Sequence, residues 1–152
     1  MTGLFDIVSA TGADRDGVIA LWRACGLTRP WNDPVADFDA AIGNPTSDIL
    51  LLTGGGALIA AVMVGFDGHR GWVYYLAVHP DHRRKGLGTR MMDAAEVWLC
   101  ARGAPKIQLM VRSDNADVIA FYEAWGLDRQ DVVTLGRRLD GDSGLETGTT
   151  GA

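Results

Sequence analysis

The chain reads as an α/β (α+β) domain in which one mixed, mostly antiparallel sheet is flanked by four helices. Three features of the 152-residue sequence predict it. Apolar residues recur at helical spacing in four segments. Short runs rich in β-branched and aromatic residues fill the intervals, punctuated by glycine, proline and Asp-Gly turns. One of these strands, Trp72 to His79, meets Pro80 and crosses a basic, glycine-containing loop into a long amphipathic helix. That arrangement offers bare backbone amides to a phosphate.

The elements follow in order. Leu4 to Ala10 is a short first strand. Thr11 offers an N-cap, and Val18, Leu21, Trp22 and Cys25 give the segment from Ala13 to Cys25 one apolar face, with Gly26 as its stop. Two prolines keep Leu27 to Pro34 irregular. Asp33 then caps a second helix with Pro34 in its first turn, reaching about Ile42. Asn44-Pro45 turns the chain into the strand Asp48 to Thr53. Gly54-Gly-Gly56 is a hairpin turn, because a strand follows it rather than a helix. That strand, Ala57 to Phe66, is apolar on both faces and hence central.

Asp67-Gly68 opens the next hairpin, with His69 and Arg70 as turn residues; lining a substrate mouth is their other reading. The third meander strand, Trp72 to His79, alternates Trp72, Tyr74, Leu76 and Val78 against Val73, Tyr75, Ala77 and His79. The helix after the basic loop runs from about Gly88 to Arg102, with Leu87, Met91, Ala94, Ala95 and Trp98 facing inward. Lys106 to Arg112 is a strand, Ser113-Asp-Asn115 a cap, and Ala116 to Trp125 a helix closed by Gly126. Asp131 to Leu139 is a last strand. The domain spans residues 1–140, and the Gly- and Thr-rich stretch 141–152 is expected to be a disordered tail.

Composition narrows the function. Formal net charge is −5, which argues against nonspecific nucleic-acid binding and sets the Arg83–Lys85 cluster apart from its background. Cys25 and Cys100 lie far apart in helical segments and read as buried thiols in a reducing compartment. No metal-ligand spacing of Cys or His occurs. Neither a signal-peptide pattern nor an apolar run long enough for a bilayer is present. These features point to a cytoplasmic protein.

The loop residues point to a pyrophosphate. Gly86 and Gly88 remove the Cβ that would keep an oxyanion from the backbone. Arg83, Arg84 and Lys85 add charge, and Leu87, Gly88 and Thr89 open the helix. A Walker loop is excluded by spacing, and so is a dinucleotide fingerprint, because its third glycine is missing. Arg83-Arg-Lys-Gly86-Leu-Gly88 instead resembles the R/Q-x-x-G-x-G/A loop of the GNAT acetyltransferases, which holds the pyrophosphate of acetyl-coenzyme A. The preceding Leu76-Ala-Val78-His-Pro80 resembles that family's strand end. Asn115-Ala-Asp-Val-Ile-Ala-Phe-Tyr122-Glu-Ala-Trp-Gly-Leu127 resembles its second motif, with Leu127 where Phe is usual. The similarity extends over residues 4 to 139. It is nearest to a small bacterial branch, YpeA-type, similar to the ribosomal-protein N-terminal acetyltransferases.

The resemblance implies a sheet of six to seven strands with a splayed pair that holds acetyl-CoA. It implies acetyl transfer from acetyl-CoA to a primary amine by direct attack in a ternary complex. It also gives residues roles. The Val78 N–H would serve as oxyanion donor, with Leu76 and Ala77 on the same cofactor strand. Asn115 would bind the pantetheine, cap its helix, or do both. Tyr122 would donate to the leaving thiolate, although it also lies on the apolar stripe of its helix, where packing alone would explain it. Many relatives carry a strand Glu as base, and no carboxylate lies between Gly71 and Pro80. Tyr74 through water, Asp33, or an amine of low pKa are the alternatives. Trp31 and Asp33 in the proline-rich segment, with Trp72 and Tyr74, are candidates for the acceptor mouth; a packed Trp31 is the other reading. Peptide N-terminus, lysine, amino acid and small amine all remain open as acceptors, as do monomer and homodimer. The reading from a different class is a catalytically weak acyl-CoA-binding regulatory domain.

Overall fold

The computed structural model describes residues 5–141. Leu4 of the expected first strand and residues 142–152 of the expected tail lie outside it. The described chain forms two compact units. The first comprises residues up to Thr28 together with Asp33–Leu109, and the second Arg29–Asn32 together with the chain from Met110 onward.

The first unit is an open five-stranded sheet in the order β1-β2-β3-β4-β5. Its strands are β1 (Asp6–Ser9), β2 (Ser47–Gly54), β3 (Ala57–Phe66), β4 (Gly71–Val78) and β5 (Ile107–Gln108). The first four pair antiparallel and β5 joins β4 in parallel. Helices α1 (Arg15–Ala24), α2 (Pro34–Gly43) and α3 (Leu87–Ala101) belong to this unit, and α4 (Ala116–Trp125) to the second. The mixed, mostly antiparallel sheet and the four helices are as expected.

Local sequence explains most element ends. Thr11 and Asp14 form a capping box that opens a short 3-10 turn ahead of α1. Asp33 caps α2 by accepting from the Val35 and Ala36 amides at 3.0 and 3.4 Å, with Pro34 at the first position. Asn115 caps α4 through the Val118 amide at 3.3 Å.

Two apolar layers sandwich the sheet. Val18, Leu21 and Trp22 of α1 and Phe38 of α2 pack with Ile49, Leu51, Ala61 and Ala77 on one face. On the other, Met91, Met92, Ala95 and Leu99 of α3 are buried, as are the alternate strand residues Leu50, Leu52, Ala60, Val62 and Val64. β2 and β3 are covered on both faces, which is why their sequences are almost uninterruptedly apolar.

The expected burial of both thiols is not met, since Cys25 at the end of α1 is half-buried and Cys100 on the outer side of α3 is exposed. Two strand expectations also fail. The strand expected over Lys106 to Arg112 is only Ile107–Gln108. The strand expected over Asp131 to Leu139 is absent, so the sheet has five strands, not six to seven. Its apolar residues Val132, Val133, Leu135 and Leu139 are exposed by 74 to 89%. A strand exists only where a neighbour completes its ladder, and apolar content alone did not supply one. Within the second unit, Arg138 fixes this stretch instead. It donates to the Trp31 carbonyl, to Asn32 Oδ1 at 3.4 Å and to Asp140 at 2.8 Å.

Gly71 sets how closely β4 approaches α3. A Cβ there would lie 2.6 Å from both Cδ atoms of Leu99, which is only 3% exposed. Gly71→Ala forces a buried leucine to move and is expected to destabilise by about 1–3 kcal/mol, read as a lower urea midpoint at unchanged slope.

Candidate functional site

The backbone of β4 carries the first half of the site. The His79 N–H donates to the Ile59 carbonyl at 2.8 Å, so Ile59 and His79 form a hydrogen-bonded pair. Two residues on, Ala61 and Ala77 do the same. Between them Val78 stands opposite Ala60 in a pair that exchanges no bonds, so its N–H and C=O point away from β3. Gly71 likewise turns away from β3 and donates to the Lys106 carbonyl at 2.7 Å. β5 pairs with Gly71 and Trp72 alone. From Val73 to Val78 no described strand covers that edge.

A bulge makes this possible. From Gly71 to Tyr74 the partners keep one register; from Ala77 on they are displaced by one residue. Tyr75 and Leu76 together oppose Val62, and Tyr75 has φ 53°. Without the extra residue Val78 would stand opposite Ile59 and donate into the ladder. With it, His79 takes that bond and the Val78 N–H faces outward. The bulge also corrects the expected alternation. Tyr75 and Ala77 pack with the α1–α2 layer, beside the face of Tyr74, whose partner Met63 belongs to the same layer. Leu76 and Val78 no longer share a face with Trp72 and Tyr74. The Val78 carbonyl accepts from Cys25 Sγ at 3.2 Å and Arg83 Nε at 3.4 Å.

Pro80–His82 forms a 3-10 turn, and α3 begins at Leu87 with Gly86 as N-cap at φ 74°, one residue earlier than expected. Arg84 is also left-handed, at φ 63°. The first intrahelical bond runs from Arg90 to the Gly86 carbonyl at 3.1 Å. The amides of Leu87, Gly88 and Thr89 therefore have no acceptor within the helix. No side chain caps this end and its first turn holds no acidic residue. In contrast, α1, α2 and α4 carry Asp16, Asp37 and Asp117 there. Arg83, Arg84 and Lys85 are exposed beside it. The positive end of the α3 dipole is left without an internal counter-charge, which suits a diphosphate.

In the second unit, Tyr122 sits in α4 with its ring edge-on to Phe121, centroids 5.0 Å apart. Burial pushes its phenol up to about 12, so it stays an O–H donor at any working pH. Asn115 spends its side-chain oxygen on the α4 cap, which matches one of its two expected roles. The Trp31 ring lies under the Arg112 guanidinium, 5.7 Å from its centroid.

The other acceptor candidates lie in the first unit. Trp72 and Tyr74 stack with centroids 6.5 Å apart, and Trp72 Nε1 donates to Asp67 at 3.2 Å. The Arg70 and His69 amides hold the Asp67 carboxyl below its ordinary range. Burial, then the Asp67 charge, raises the Tyr74 phenol. Asp33 Oδ1 is occupied as the α2 cap. His79, beside Val78, accepts the Asp81 amide at Nδ1, 3.1 Å away; neutral, it carries its proton on Nε2 and has no free lone pair for a base. Sequence reasoning missed Tyr75, Asp37 and Cys25. No local pattern marks them, because their role comes from contacts between distant segments.

An outward strand amide leads through a basic loop into a helix start without a side-chain cap, an arrangement that suits a phosphate-bearing ligand. The chain matches the model of the acetyltransferase (GNAT) family over residues 15–127 and belongs to that family. It is 45% identical over 126 residues to an acetyltransferase of Pectobacterium atrosepticum, covering 83% of this chain and 89% of that one. Its fold is similar to that of AAC(6')-Iy in complex with a CoA-containing bisubstrate analogue. There the TM-score is 0.76 at 14% identity, over 88% of this chain and 97% of that one. It is also similar to that of a ribosomal-protein-alanine N-acetyltransferase from Brucella melitensis, with a TM-score of 0.71 at 20% identity over 88% and 99% of the two chains. The protein is an acetyl-CoA-dependent N-acetyltransferase, and the amides and cations around the α3 N-terminus fit that cofactor. No helix of the described residues is long and apolar enough to cross a membrane.

Thr89→Glu puts a carboxylate in the third position of α3, where it can reach back to the Gly86 amide. The free protein should gain about 0.3–1 kcal/mol by thermal melting. By titration calorimetry the same variant should bind CoA about tenfold or more weakly, because the new charge competes with the diphosphate.

Proposed function

We propose that this enzyme moves the acetyl group of acetyl-CoA to a primary amine by direct attack in a ternary complex, with the Val78 N–H as the oxyanion donor. The observation that carries the reading is the bulged register of β4. It takes one amide out of the ladder on the strand that runs into the cofactor loop. A preorganised amide at the developing negative charge is worth several kcal/mol in such chemistry. Leu76, Ala77 and Val78 form the cofactor strand. The segment Arg83, Arg84, Lys85, Gly86, Leu87, Gly88 and Thr89 receives the diphosphate.

Tyr122 donates to the departing sulfur. Its pKa of about 12 lies more than three units above that of an ordinary thiol, so full proton transfer would be uphill by roughly 5 kcal/mol. Tyr122 therefore stabilises the thiolate by a hydrogen bond and leaves its final protonation to solvent. Asn115 holds α4 in register for this donor.

The acceptor is an amine that needs little help to lose its proton, such as an α-amino group near pKa 8. Neither of the two candidate side chains is a ready base. Tyr74 keeps its proton because its pKa is raised, and Asp33 is engaged as a cap. Both, with Trp72, are assigned to acceptor binding in this reading, as is Trp31 of the second unit.

Free-thiol release from acetyl-CoA, measured over a panel of amines and peptide N-termini, tests the proposal. Acceptor-dependent release is expected, with kcat lowered about 10- to 100-fold in Tyr122→Phe. Tight CoA binding without turnover would favour an acyl-CoA-binding regulatory domain, the reading that the missing strand carboxylate suggests.

The pH profile of kcat/KM should rise to a plateau at the acceptor amine's own pKa. Asp33→Ala and Tyr74→Phe should leave that pKa in place, whereas a displaced limb in either variant would make that residue the base. No alkaline loss from Tyr122 is expected until the pH approaches about 12.

A further inference from the structure

The bulge in β4 rests on a residue poorly suited to it. Only glycine, and less often Asn or Asp, visits the left-handed region readily, yet the residue at φ 53° is Tyr75. Its side chain is held from two helices. The Tyr75 hydroxyl donates to Asp37 Oδ2 at 2.7 Å, from the first turn of α2. Its ring lies flat on Trp22 of α1, with centroids 3.9 Å apart and planes at 13°. Trp22 is itself fully buried, so this platform cannot shift without repacking the α1–α2 layer.

We propose that Asp37, Tyr75 and Trp22 form a positioning clamp that pins the extra residue of β4 at Tyr75 and so keeps the Val78 N–H turned out of the ladder. The consequence for catalysis rests on the reading of that N–H as the oxyanion donor. A bulge is one surplus residue, and its place along a strand is set by whichever side chains anchor it. Released from Asp37, Tyr75 loses the hydrogen bond that ties its side chain to α2, and with it a restraint that keeps it left-handed. If the surplus residue then slips past Val78, the amide of Val78 returns to the Ile59 carbonyl that His79 now uses. No clamp residue lies in the cofactor loop or at the α3 N-terminus; the loop meets the Val78 carbonyl through Arg83 Nε, a long contact at 3.4 Å. Cofactor affinity and turnover should therefore separate.

The test uses Tyr75→Phe, Asp37→Ala, Asp37→Asn and the Tyr75→Phe/Asp37→Ala pair, all assayed well below their melting temperatures. Tyr75→Phe and Asp37→Ala should each lower kcat about tenfold, with CoA affinity and the KM for acetyl-CoA within about twofold of the parent. Asp37→Asn keeps an acceptor oxygen and should recover to within about threefold. The double variant should be no worse than the poorer single one, because both changes remove one interaction. Amide hydrogen exchange supplies a readout independent of turnover. In the parent, Ala77 and His79 should exchange slowly and Val78 fast; in Tyr75→Phe and Asp37→Ala this contrast should shrink. Unchanged kcat in both variants, or kcat and CoA affinity falling together, overturns the clamp, as does an exchange pattern identical to the parent's. A parent enzyme with no turnover defeats the acetyl-transfer reading instead, and the exchange contrast then decides the clamp alone.

Discussion

The register of β4 is the constraint from which the site geometry in the first unit follows. An antiparallel ladder uses every second N–H of a strand on each neighbour. A regular β4 would commit the amide of Val78 to β3. One surplus residue reverses that assignment for everything beyond it. The left-handed Tyr75 costs about 1–2 kcal/mol. A hydrogen bond of about 1 kcal/mol and an aromatic stack of about 0.5–1.5 kcal/mol offset this cost. The two sides nearly balance, so the bulge persists because α1 and α2 hold it, not because the strand favours it.

The α3 N-terminus shows the same economy in its electrostatics. In the other helices an aspartate in the first turn, an Asp or Asn cap, or both, satisfy the dipole from within. In α3 the first turn has no acid, and Gly86 brings no side chain. The helix forgoes a few tenths of a kcal/mol of its own stability. In return, three amides and the dipole remain available to a phosphate-bearing ligand. Arg83, Arg84 and Lys85 reinforce the same field in a chain whose net charge is negative.

Periodicity and capping made most of the fold legible. Asp33-Pro34 opens α2, Asn115 opens α4, and Gly54-Gly-Gly56 joins β2 to β3, as their chemistry requires. The Asp131 to Leu139 strand failed for a reason that no window of sequence contains. Its alternation is compatible with a strand, but a strand is a relation between two segments, and Arg138 ties this one to Trp31 and Asn32 instead. The alternation assigned to β4 failed at Tyr75 for a similar reason. Side chains on α1 and α2 stabilise a left-handed residue that local propensity disfavours.

The sequence by itself determined the family and the cofactor and singled out the basic loop before α3, because glycine spacing, a cationic run and an uncapped helix start act over a few consecutive residues. It also marked Val78, Asn115 and Tyr122 through motifs of the same short range. Only the tertiary structure decided which way the Val78 amide points and which side chains meet Tyr75 at the bulge. It also decided that the Tyr122 phenol is buried enough to keep its proton. Backbone direction in a sheet depends on the register between strands, and a pKa depends on the solvent a fold excludes. Both are properties of segments brought together, and neither is written in any one of them.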